Sequence, residues 1–93
     1  MPQLHLLNKF ADHPRFTQCL NQTHAGDSIA LTESGVLALP TGINWPEDVV
    51  IYALSADLEA RGLSPLELPP FVHVIGYEQL VDLTLSTDKV VCW

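Results

Sequence analysis

Six consecutive apolar residues, "VVIYAL" at 49–54, restrict this chain more than any other stretch. The run is β-branched and aromatic, is preceded by the breaker "WPED", and is too short for a helix. It reads as a strand. A strand without polar residues on either face suits the middle of a parallel sheet covered by helices on both sides.

The flanking sequence repeats this pattern with helix-like segments in between. "LHLLN" (4–8), "SIALT" (28–32), "FVHVI" (71–75) and "KVVCW" (89–93) are further expected strands. Between them, "PRFTQCLNQTH" (14–24) places Phe16, Cys19, Leu20 and Thr23 on one helical face, with Pro14 at the first position and Gly26 expected to close the helix. "SADLEARG" (55–62) is a short helix with Ser55 as the expected N-cap and Gly62 just past its end. "YEQLVDLTLS" (77–86) gathers Tyr77, Leu80, Val81, Thr84 and Leu85 into one stripe. "ESGVLALP" (33–40) fits either a short helix or a turn, and "TGINWPED" is a loop. Strands and helices alternating at this pace indicate βαβ units with right-handed crossovers. The expected fold is therefore α/β: a single domain over 1–93, a three-layer sandwich around a mostly parallel five-stranded sheet.

Composition narrows the partners. The chain is 47% apolar and only 16% charged, where about 25% charged is usual. A domain of 93 residues has much surface for its volume, so apolar surface remains to be covered by other subunits. Net charge is −7, and four cations (Lys9, Arg15, Arg61, Lys89) cannot neutralise a phosphate backbone, which argues against direct nucleic-acid binding. The opening "MPQLHLLNKF" has no signal-peptide pattern and no stretch is long enough to span a membrane, so a cytoplasmic protein with reduced thiols is expected.

Chemistry-bearing residues are sparse. No glycine-rich phosphate loop follows the first strand, and His5, His13, His24 and His73 show no metal-ligand spacing with Cys19 or Cys92, so no cofactor or metal is expected. Ser34, His73 and Asp57 make a triad only on paper, and His73, inside an apolar strand, reads as a core histidine. Asp48, Asp57 and Asp82 read as solvated caps and faces. Cys19 is either a persulfide-forming thiol or a small packed hydrophobe, with Arg15 one turn away on the same face. Cys92, between valines and Trp93, reads as a packed thiol with poor nucleophilicity in a last strand whose indole docks in the interior or against a neighbour. Trp45 reads as core or interface.

The order of "LHLLNKF", "SIALTESGVLAL", "YALSADLEARGL" (52–63) and "YEQLVDLT" (77–84) ahead of Trp93 resembles the TusB/DsrH family over residues 4–93. The resemblance implies a DsrE-like fold and a place in a heterohexamer with TusC/DsrF-like and TusD/DsrE-like subunits. In one branch that assembly relays persulfide sulfur towards 2-thiolation of the tRNA wobble uridine; in the other, a DsrEFH complex serves intracellular sulfur oxidation. The principal sulfur-accepting cysteine belongs to the TusD/DsrE-like partner, which makes this chain mainly structural. Cys19 falls where DsrH-type members carry a cysteine on the first helix, which keeps it as the candidate catalytic residue in a secondary sulfur-carrying role. A stand-alone persulfide carrier acting through Cys19 is the enzyme alternative, and a homo-oligomeric interaction module without sulfur chemistry is a third.

Overall fold

The computed structural model describes residues 2–93. Five strands, β1 (Gln3–Leu7), β2 (Ser28–Leu31), β3 (Val50–Leu54), β4 (Val72–Ile75) and β5 (Lys89–Cys92), form one sheet in the order β4-β3-β2-β1-β5. Every neighbouring pair is parallel. Three α-helices join them: α1 (Pro14–Gln22), α2 (Ser55–Ala60) and α3 (Tyr77–Ser86). The ambiguous stretch after β2 is a 3₁₀ helix, Glu33–Thr41.

The strand order decides where the helices lie. The chain steps from β1 to β2, β3 and β4 in one direction, so right-handed crossovers put α1, the 3₁₀ helix and α2 on one face. The last crossover runs back from β4 to β5, and the same handedness sends α3 to the opposite face. The main core joins Leu7, Ile29, Leu31, Ile51 and Ala53 of the sheet to Phe16 and Cys19 of α1, Val36 and Leu39 of the 3₁₀ helix and Leu58 of α2. Each large apolar side chain buried there contributes about 1.5–3 kcal/mol. Trp45 closes the end of this core against Phe16, with ring centroids 5.8 Å apart. Gly35 lets the 3₁₀ helix lie on the end of β1, since a Cβ there would run into the Leu7 carbonyl oxygen.

Several expectations need correction. "VVIYAL" is an interior strand with helices on both faces, but its cover is uneven: β3 is second from the edge, and α3 is the single helix on its second face. Val50 is therefore exposed and Tyr52 half-buried. His73 is exposed rather than core, because it points to that thinly covered face of edge strand β4, where its ring meets Tyr52 at 5.6 Å. Ser55 is not an N-cap. It is the first residue of α2, and the cap position falls on Leu54 without a side-chain bond. Helix α1 ends with extended Thr23, so Gly26, at φ 91°, serves the following turn instead of the helix end. The stripe on α3 splits: Leu80 and Thr84 are half-buried, whereas Tyr77, Val81 and Leu85 face outward.

Candidate functional site: two thiols, a buried relay and an uncovered face

The structure takes the packed alternative for Cys19 and overturns the packed reading of Cys92. Cys19, on the inward face of α1, is 0% exposed within the main core. Burial pushes its thiol up to about 12. An ordinary thiol is a few per cent thiolate at pH 7, and Cys19 is far below that. Cys92 is exposed and free. Its register partner is Leu6, on the face that carries Tyr52 and His73 and that α3 covers only in part. Alkylation of the native protein at neutral pH should therefore modify Cys92 readily and Cys19 at least about 100-fold more slowly, with Cys19 reacting fully once denaturant is added. Mass spectrometry of tryptic peptides reads both rates, and equal rates would contradict this placement.

A polar cluster invisible to local sequence reading ties the two ends of the chain together. His5 points from β1 into the same layer as Leu7 and is 1% exposed; Asp27, at the start of β2, is 2% exposed. The Trp93 indole N–H donates to His5 Nδ1 at 3.0 Å, with the two rings 23° from parallel and their centroids 6.1 Å apart. His5 Nε2 contacts Asp27 Oδ2 at 3.1 Å. Asp27 Oδ2 also accepts from the His24 backbone N–H at 3.0 Å, and Oδ1 accepts from the Gln3 N–H at 2.9 Å. Burial alone would raise this carboxyl, but the His24 and Gln3 amides and the His5 ring outweigh it and hold Asp27 below the usual carboxylate value. The residues lie 22 and 88 positions apart, so no spacing motif reports them. The one available signal is that His5 alternates with buried positions and so requires a partner.

The paper triad is not assembled. Asp57 Oδ2 accepts the Glu33 backbone N–H at 2.8 Å, steadying a residue at φ 49°, and Oδ1 lies 3.7 Å from Arg61. This explains Asp57 and Arg61 of "SADLEARGL" as supports of the 3₁₀ helix. His73 belongs to the opposite face. Among the described residues no group of three His, Cys, Asp or Glu could hold a metal ion, and no helix is long and apolar enough to cross a membrane.

What remains open is an apolar flank. Tyr77 (63% exposed), Val81 (54%) and Leu85 (80%) run along the outer side of α3, bordered by Glu78 and Asp82. Beside the helix lie Val50, His73 and Cys92 on the thinly covered sheet face.

A small all-parallel α/β sheet in this strand order, with α1, the Glu33–Thr41 3₁₀ helix and α2 on one face and α3 on the other, defines a protein of the DsrE-like fold. The same architecture is found in the solution NMR structure of protein Tm0979 from Thermotoga maritima (TM-score 0.73, 27% identity, covering 92% of this chain and 94% of that one). It recurs in the crystal structure of the ychN protein from E. coli (TM-score 0.70, 20% identity, 100% of both chains). Residues 11–90 match the family described as DsrH like protein, and this chain belongs to that family. Similar curated relatives are Protein TusB of Serratia proteamaculans, 38% identical over 89 residues (83% of this chain, 90% of the relative), and Protein TusB of Pectobacterium atrosepticum, 30% identical over 95 residues (97% and 99%).

Proposed function

We propose that this chain is a mainly structural subunit of a cytoplasmic sulfur-relay complex supporting 2-thiolation of the tRNA wobble uridine. Sulfur passes through such a complex by attack of a thiolate on a persulfide, and each transfer needs an accessible, ionisable thiol. The observation that carries the reading is the pairing of family membership with a core-locked Cys19 and an open apolar flank on α3. Its candidate carrier thiol, Cys19, is sealed in the core, and the chain presents the kind of surface that another subunit covers. TusC/DsrF-like and TusD/DsrE-like subunits are the partners that fit, with the working thiol on the TusD/DsrE-like one. A net charge of −7 leaves contact with tRNA to those partners.

Co-expression with the two sister subunits tests the assembly. A stable ternary complex is expected; a chain that elutes alone at micromolar concentration beside both sisters would sink the proposal. Loss of wobble-uridine thiolation in a deletion strain supports the thiolation branch, and intact thiolation points to the sulfur-oxidation branch or to an interaction module without sulfur chemistry. A carrier role for Cys19 needs α1 to lift from the sheet. Loading the assembled complex with a persulfide donor and weighing this chain tests it: label that disappears in Cys19→Ser and persists in Cys92→Ser would add that role.

A further inference from the structure

We propose that His5 is a proton-controlled latch on Trp93: neutral imidazole holds the indole against the β1–β5 edge, and protonation of its Nδ1 releases it. The geometry allows one tautomer. An indole N–H can only donate, so the nitrogen it meets at 3.0 Å must be bare, and the ring proton sits on Nε2 facing Asp27. Both ring nitrogens are thereby committed in a residue that is 1% exposed. A second proton on His5 can enter only at Nδ1, where it would confront the indole N–H donor to donor.

The remaining groups around the ring favour exchange over collapse. Asp27 keeps and strengthens its bond to an imidazolium, because a charge-assisted pair replaces a singly charged one. Beside the indole lies a cavity of about 270 Å³ lined by Gln22 of α1, His24 of the following turn and Lys89 of β5, with room for water to accept the new N–H. His24 and Lys89 are the other titratable groups there; His24 Nδ1 lies 4.0 Å from Asp27 Oδ2. The Trp93 backbone stays attached, its N–H donating to the Leu6 carbonyl at 3.0 Å and its carbonyl accepting from Lys9 Nζ at 3.2 Å. Acid therefore swings the side chain out while β5 remains in the sheet, and it changes the surface at this edge without unfolding the domain.

The full chain carrying Trp45→Phe leaves Trp93 as the single tryptophan. Its fluorescence and acrylamide quenching are followed from about pH 8 to about pH 5, the interval in which histidine changes charge. A reversible red shift with at least about twofold greater quenching, at constant far-UV circular dichroism, is expected. His5→Gln retains one acceptor and one donor but no titration, so its signal should stay flat, whereas His24→Gln should keep the transition. A flat signal in the His5 parent, or an unchanged transition in His5→Gln, overturns the proposal, as does loss of the transition in His24→Gln. Should His5→Gln fail to fold, long-range ¹H–¹⁵N spectra of the parent decide: an Nε2–H tautomer at neutral pH that converts to imidazolium as the Trp93 indole resonance moves supports the latch. An Nδ1–H tautomer, or an indole resonance that ignores the imidazole, excludes it.

Discussion

Replacing Val81 by glutamate together with Leu85 by lysine will abolish co-purification with the sister subunits while leaving the isolated domain folded. Both side chains are more than half exposed on the outer flank of α3, and with Tyr77 they line up at four-residue spacing over about 12 Å of helix. Because both are more than half exposed, stability should change by no more than about 0.5 kcal/mol. In a complex the same positions are desolvated, and burying two charges in an apolar contact costs several kcal/mol even though the introduced glutamate and lysine would pair at four-residue spacing. Affinity should fall at least about 100-fold, which sedimentation velocity or a tagged-partner pull-down will read. Normal assembly by a folded double variant would place the interface elsewhere, on the sheet face around Val50 and Cys92 or beside Leu66 and Phe71.

Asp27→Ala will be the most damaging single change in the interior. Its carboxylate accepts from Gln3 N–H, His24 N–H and His5, and removal strands the buried His5 ring and two part-buried backbone amides at once. Breaking a buried charged network of this kind costs about 3–5 kcal/mol, a large share of the roughly 5–15 kcal/mol that holds a small domain together. Asp27→Asn keeps one acceptor and turns its amide towards another donor, so a loss of about 1–3 kcal/mol is expected. Urea denaturation measures both, and a loss below about 1 kcal/mol for alanine would mean that water takes over the acceptor role. The pH dependence has a definite sign. Asp27 is held below its ordinary value of 3.8, so the unfolded chain binds more protons at this site than the folded one. Its contribution is complete above the ordinary carboxylate range and drains away as pH falls through the lower native value. Asp27→Asn should flatten that part of the acid-unfolding curve.

Strand and helix identity were legible because local chemistry is enough to specify them. "VVIYAL" and "KVVCW" contain the residues a pleated surface favours, and Pro14 and Gly62 mark helix ends for reasons that involve few neighbours. The alternation of these elements already implied a parallel sheet with helices on both faces. Side-chain environment was not legible to the same degree. His73 in "FVHVI" has apolar neighbours in sequence but an edge strand's exposure in space. The α3 stripe correctly identified an apolar flank, yet the roll of the helix turned half of it outward.

The two thiols give the clearest division between sequence and tertiary structure. By itself the chain determined its succession of elements, its acidic and weakly charged composition, the absence of a nucleotide-binding loop, and a pattern shared along its length with one family. Those properties follow from interactions within a few residues or from composition. Only the folded molecule decided that Cys19 is sealed in the core and Cys92 is open, and that His5, Asp27 and Trp93 meet. Burial and long-range hydrogen bonding depend on which strands become neighbours, and the order β4-β3-β2-β1-β5 brings the first and last strands side by side.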